Sequence, residues 1–167
     1  MKRGYLVDSS KTYIEILIYS LQTKVQVLDD IIGLTKQQEV LLTQSSSMDI
    51  DKFNRITEEK GPLIDQVNEL NDGFETLYNR IKEEFVSHKM EYAAEISKLQ
   101  ELIKTVTEKS VEIQVTEKRN FVKLQVYLEA KKSEIKEFKK SSKTVSSYYK
   151  NMTNQHQGQS YFLDKKK

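Results

Sequence analysis

The chain has 167 residues, of which 31% are charged and 37% hydrophobic, and it contains no cysteine. Its single proline and five glycines suit long helices and disfavour turn-rich β folds. The lack of cysteine excludes disulfides and thiolate metal sites, and a cytoplasmic setting is expected. The longest aliphatic and aromatic run, residues 16–19, is far shorter than the roughly 20 apolar residues of a membrane span. Polar residues at 8–11 interrupt any signal-peptide core, so neither export nor membrane insertion is expected.

The first predicted element is one long amphipathic helix over roughly residues 9–44. Its apolar residues recur at steps of three and four, with a polar gap at residues 35–39. Asp8, Ser9 or Ser10 can cap its start, because each has a side-chain oxygen that can accept from the first-turn N–H groups. The apolar positions are Ile14, Leu17, Leu21, Val25, Leu28, Ile32 and Leu42.

Two further helices are predicted on either side of Gly61 and Pro62. Asp49 is the expected N-cap of a short helix over 49–60, and the glycine and proline predict a kink or break after it. The next helix, over 62–87, can begin with Pro62 in its first turn. Its apolar stripe consists of Leu63, Val67, Leu70, Phe74, Leu77, Ile81 and Phe85.

The last long helix is predicted over residues 91–140, after a bend within residues 86–92. Its stripe is ragged between Ser110 and Phe121. The stripe consists of Tyr92, Ile96, Leu99, Ile103, Val106, Ser110, Ile113, Phe121, Leu124, Leu128, Ile135 and Phe138.

Each stripe must face a partner, and the stripes together predict an all-α fold. We expect residues 1–140 to form an elongated antiparallel helical bundle or coiled coil of about three long helices, with self-association possible. A stripe that its neighbours leave unfilled becomes a binding groove. Residues 141–167 are rich in Ser, Asn and Gln and are expected to form a flexible or partner-folded C-terminal arm.

Charge is distributed unevenly along the chain. Residues 118–167 carry 13 basic and 4 acidic side chains, a net charge of +9 that the overall +2 conceals. The lysines there suggest a nucleic-acid or acidic-membrane surface, but Arg119 alone can make bidentate base contacts. Glutamates at helix-pair spacing interrupt the lysines, so a solvated helix face is the favoured interpretation and no nucleic-acid partner is expected.

Catalytic and metal-binding patterns are weak. His88 has glutamates four residues before and three after it, yet a di-metal bundle needs a second Glu-x-x-His copy, which the chain lacks. A helix-boundary or packing role is therefore expected for His88, and a solvated one for His156. Adjacent carboxylates such as Glu83 and Glu84 diverge by about 100° on a helix and cannot share a proton. We expect neither an enzyme nor a cofactor.

Three stretches resemble the FlgN-type flagellar export chaperones. They are residues 34–42 (LTKQQEVLL), 58–78 (EEKGPLIDQVNELNDGFETLY) and 147–167 (SYYKNMTNQHQGQSYFLDKKK). The resemblance implies a cytoplasmic chaperone that binds the C-terminal helices of hook–filament junction proteins, prevents their premature assembly and delivers them to the flagellar type III export apparatus.

In that family the C-terminal region binds the client, and the aromatic arm of this chain suits coupled folding and binding. The alternatives are that these side chains pack back onto the bundle, or that the protein is a structural coiled-coil or adaptor protein without a secretion client. The implied client-binding residues are Phe138, Val145, Tyr148, Tyr149, Met152, Tyr161, Phe162 and Leu163.

Overall fold

The computed structural model describes residues 2–44 and 47–131, with side chains from Ser10 onward, and a few helical positions between 143 and 151. It contains three long helices, α1 (Lys2–Leu42), α2 (Ile50–Ser87) and α3 (Ala93–Ala130). At about 1.5 Å per residue each helix is about 60 Å long. The predicted all-α bundle is confirmed, with three described helices where four segments were predicted.

Helix α1 begins earlier than predicted, so Asp8, Ser9 and Ser10 lie inside the helix. The capping role predicted for them was wrong. Residues 2–8 contain no proline, and Gly4 alone costs only about 1 kcal/mol, so nothing there stops the helix. At the other end, the N–H of Gln44 donates to the carbonyl of Leu41 at 3.1 Å in the turn that follows the helix.

Helix α2 begins where predicted but is not interrupted. The Asp49 carboxylate accepts from the N–H of Lys52 at 3.0 Å, which confirms the N-cap. The helix continues through Pro62, so the predicted boundary there was wrong. Pro62 and Glu58, whose carbonyl loses its helical donor, are both exposed. Because water can hydrate that carbonyl while the opposite face stays buried, the helix persists.

The predicted bend within 86–92 is confirmed as a turn between α2 and α3. His88 is the C-cap of α2, and its N–H donates to the carbonyl of Glu84 at 3.0 Å. Helix α3 ends at Ala130, where the N–H of Lys131 donates to the carbonyls of Tyr127 and Leu128. The rest of the predicted helix, residues 132–140, lies outside the described residues.

Cross-helix contacts define the directions of the helices. Lys24 of α1 contacts Asn71 of α2, and residues later in α1 contact residues earlier in α2, so this pair is antiparallel. Asp29 of α1 pairs with Lys109 of α3, and Glu39 pairs with Arg119, so α1 and α3 are parallel. Helix α1 packs along both of the other helices, whereas α2 and α3 approach each other closely in few places.

The apolar core is divided into two clusters. The larger one includes Leu17, Leu28 and Ile31 of α1 together with residues of both other helices. The smaller one surrounds Phe53 and includes Leu124 of α3. Between them lies a layer of buried polar side chains. We call the part of the bundle that contains this layer and the smaller cluster the closed end.

Candidate functional site

All of the predicted client-binding residues lie outside the described part of the chain. They are Phe138, Val145, Tyr148, Tyr149, Met152, Tyr161, Phe162 and Leu163. The assignment of the client site to the C-terminal arm therefore stays a prediction, and the described residues offer a different candidate.

That candidate is an open cleft of about 980 Å³ between the C-terminal half of α2 and the first turns of α3. It forms because the backbones of these two helices stay apart there while both pack on α1. We call the part of the bundle that contains this cleft the open end. The lining residues are Tyr78, Lys82, Glu83, Phe85, Val86, Ser87, Lys89, Ala93, Ile96, Ser97, Leu99, Gln100 and Ile103.

A chain of aromatic rings runs along the α2 side of the cleft and into the turn. The ring centroids of Phe74 and Tyr78 are 6.4 Å apart, those of Tyr78 and Phe85 are 6.5 Å apart, and those of Phe85 and Tyr92 are 6.0 Å apart. Such ring pairs contribute about 0.5–1.5 kcal/mol each beyond the area they bury. These ring contacts therefore stiffen the α2 side of the cleft, which the other helices cover on one side only.

Tyr92 closes this chain of rings at the turn. It is 5% exposed, and its buried hydroxyl has no hydrogen-bond partner among the described residues. Burial, assisted by the nearby carboxylates of Glu84, Glu91 and Glu95, raises the pKa of Tyr92 above its usual range. The phenol therefore stays protonated at neutral pH and keeps its capacity to donate.

The rim of the cleft combines exposed apolar groups with charges of both signs. Val86 is 62% exposed and Met90, in the adjoining turn, is 92% exposed. Lys82, Glu83 and Lys89 border the same opening. An apolar floor with a polar rim is the usual construction of a surface that receives the apolar side of a helix.

The second unusual feature is the buried polar layer. Lys60 of α2 and Glu117 of α3 form an ion pair, and each residue is only 1% exposed. The Thr35 hydroxyl oxygen of α1 accepts from Nζ of Lys60 at 3.4 Å and lies 3.0 Å from Oε1 of Glu117. Burial lowers the pKa of Lys60, and the Glu117 carboxylate opposes that shift. These three residues join all three helices at one level.

Neutral groups extend the layer on both sides. Nε2 of Gln38 donates to Oγ1 of Thr57 at 2.7 Å and to the carbonyl of Phe53 at 3.2 Å. Nδ2 of Asn120 donates to the carbonyl of Thr35 at 3.2 Å. Buried polar groups that have few alternative partners fix the register of helices. None of these residues lines the cleft, so the layer is a structural element apart from it.

One more buried amine lies within the larger apolar cluster. Lys24 is 2% exposed, and its Nζ donates to Oδ1 of Asn71 across the α1–α2 interface. Burial lowers the pKa of Lys24 to about 7. Its charge is therefore only half retained near neutral pH.

Among the residues that the structure describes, no group of three or more histidine, aspartate or glutamate residues is placed to hold a metal ion. No described helix combines the length and apolarity needed to cross a bilayer. His88 lies at a helix boundary, as predicted, and its Nδ1 is 3.2 Å from the carbonyl of Glu84.

Sequence reasoning missed both the cleft and the polar layer. The polar gap at residues 35–39 and the ragged pattern between Ser110 and Phe121 were the available signals, because both fall on the layer. Comparison of the chain with protein-family models, curated proteins and solved structures found no match.

Proposed function

We propose that the protein is a cytoplasmic export chaperone of the FlgN type. In this role it binds the C-terminal helices of hook–filament junction proteins, prevents their premature assembly and delivers them to the flagellar type III export gate. The observation that supports the proposal is the open cleft between α2 and α3, where two antiparallel helices offer apolar side chains that no other described helix covers.

A helix of about three turns matches the length of this cleft. Tyr78 and Lys89 are eleven positions apart on the α2 side, which corresponds to about 17 Å. A client helix with apolar residues at i, i+3 or i+4, and i+7 would cover Phe85, Val86 and Ile96 and complete a four-helix arrangement. While it is held there, that apolar face is not available for assembly with other subunits.

The proposed C-terminal arm and the cleft must be tested separately. Ile103, the last cleft residue of α3, lies about 40 Å along the helix from Ala130, where α3 ends. A truncation of the arm and a substitution in the cleft therefore remove different residues, and their effects on binding can be compared.

The test is isothermal titration of a hook–filament junction protein into the full chain, into a chain that ends at residue 140, and into Val86→Asp. Val86 suits the test because it lines the cleft yet is 62% exposed, so its replacement leaves the fold intact. Val40→Asp is the matched control, since Val40 is 61% exposed on α1 and does not line the cleft. We expect both the truncation and Val86→Asp to weaken binding by at least tenfold.

Titration at two salt concentrations distinguishes the modes of binding. The affinity of binding through apolar contacts changes little with salt, whereas the affinity of binding through the positively charged residues of 118–167 falls steeply. If truncation alone weakens binding, the cleft is not the client surface. If the full chain fails to bind the junction protein, the proposed function is wrong.

A further inference from the structure

A row of valines lies on the outer face of α3. The row consists of Val111, 41% exposed, Val115, 51%, Val122, 55%, and Val126, 65%. Steps of four, seven and four residues place them on one side of the helix. The buried residues Ile113, Asn120 and Leu124 occupy the opposite side, so the row faces away from the bundle.

Single exposed valines are common, but a row of them is not favoured by the helix itself. Valine is restricted at χ1 in a helix and has a lower helix propensity than alanine. An exposed valine recovers little of this cost through burial. The row from Val111 to Val126 extends for about 22 Å and is as long as a four-turn helix. The described residues therefore leave an apolar row uncovered on α3.

The charges on this face are uneven. Lys118 is exposed at the centre of the row, three residues after Val115 and four before Val122. Along the α1 border, Glu112 pairs with Lys36 and Arg119 pairs with Glu39. Lys118 has no ion pair with any residue that the structure describes. The row therefore presents an apolar surface with unneutralised positive charge at its middle.

We infer that the valine row binds an amphipathic helix of another protein whose apolar face carries an acidic residue opposite Lys118. Charge complementarity selects this partner over a second copy of the chain. The row is symmetric about positions 118 and 119, so an antiparallel copy would bring Lys118 of both molecules together, and these like charges would repel. The row lies beyond the cleft, and the inference does not depend on the proposed client.

The probe is a pair of synthetic three-heptad peptides, each with leucine at every a and d position except one central position. That position is glutamate in one peptide and lysine in its twin. Binding of each fluorescent peptide to the full-length protein is followed by anisotropy, at concentrations where the peptide alone sediments as a monomer. We expect the glutamate peptide to bind at least tenfold more tightly, and Lys118→Glu to reverse the preference.

Matched controls separate this surface from the rest of the molecule. Lys98→Glu makes the same charge change on exposed α3 surface about 30 Å away and should leave the preference intact. Val115→Asp should weaken binding of the glutamate peptide at least tenfold, whereas Val40→Asp should not. Val86→Asp, which alters the cleft, should also leave peptide binding unchanged, so the failure of this inference is distinguishable from the failure of the proposed function.

Three outcomes would overturn the inference. The first is equal binding of the two peptides to the wild-type protein, and the second is a Lys118→Glu variant that still prefers glutamate. The third is a concentration-dependent dimer of the wild-type protein that Val115→Asp converts to a monomer, because that result would identify a second copy as the occupant. Circular dichroism of each variant verifies that the helices remain folded.

Discussion

The closed and open ends of the bundle are built from similar stripes and reach different degrees of burial. On α2, Phe53 and Ile56 at the closed end are buried, whereas beyond Val67 the only buried residue of the helix is Ile81. Leu70, Phe74 and Leu77 continue the same period but are half-buried. A periodic pattern thus defines which face of a helix is apolar, and the distance to the neighbouring helices decides how much of that face is covered.

The largest expected effect is at the polar layer of the closed end. Glu117→Ala should lower the free energy of unfolding by about 3–5 kcal/mol, because it leaves the charge of Lys60 buried without its partner. Urea denaturation at neutral pH measures the change. Glu112→Ala is the control, since Glu112 is on the same helix and pairs with Lys36 at the surface, where such a pair contributes less than about 1 kcal/mol.

The double substitution Lys60→Met/Glu117→Leu sharpens the test. Replacing a buried ion pair with apolar side chains of similar volume is commonly neutral or stabilising by about 1–4 kcal/mol. If Glu117→Ala lowered the free energy of unfolding no more than Glu112→Ala does, the polar layer would be hydrated in the folded protein, and the closed end would be accessible to solvent.

A smaller difference is expected between a buried and a half-buried leucine of the larger cluster. Leu28→Ala should lower the free energy of unfolding by about 2–5 kcal/mol, because Leu28 is fully buried. Leu77→Ala should lower it by only about 1 kcal/mol, since its half-buried side chain has less apolar area to lose. Thermal and urea unfolding of both variants measure the two losses. Equal losses would mean that Leu77 is as deeply buried in solution as Leu28.

The last expected effect is a gradual one, a pH dependence of the free energy of unfolding that comes from Lys24. Its pKa is about 7 in the folded chain against an ordinary value of 10.5, so between these values the unfolded chain binds more protons than the folded one. Stability should therefore rise with pH across this window, by about 1 kcal/mol per unit between pH 8 and 9.5. Below pH 7 the amine is charged in both states and the cost of burying it is constant.

Lys24→Met isolates this contribution. The variant should be more stable than the wild type at pH 6 and lose much of the rise in stability between pH 8 and 9.5, as measured by urea denaturation at each pH. An unchanged slope would show that Lys24 reaches water in the folded protein.

The sequence predicted the helical content, the Asp49 cap and the turn near His88, because these depend on local patterns of apolar and capping residues. It failed at Gly61 and Pro62, where the exposure of Pro62 and the burial of Lys60 on the opposite face decide that the helix continues. Exposure is a property of the packed bundle and has no local signature.

Local sequence patterns did not predict the polar layer either. The gap at 35–39, the charged residues 58–60 and the irregular region after Ser110 are at one level only when α1 and α2 are antiparallel and α3 is parallel to α1. Sequence order gives each gap separately, and only the register of the three helices brings Thr35, Lys60 and Glu117 together. The cleft is of the same kind, since the separation of α2 from α3 is not encoded in either stripe alone.

The parallel pairing of α1 with α3 also bears on how the chain folds. Side-chain hydrogen bonds between α1 and α2 join residues 15 to 47 positions apart, whereas the hydrogen bonds and ion pairs between α1 and α3 join residues 76 to 85 positions apart. Short loops close at lower entropic cost, so the α1–α2 hairpin should form first and α3 should dock later. During synthesis the hairpin leaves the ribosome before α3 does, and Lys60 stays hydrated until Glu117 arrives. The core side of α1 that α3 later covers is therefore exposed until α3 has emerged.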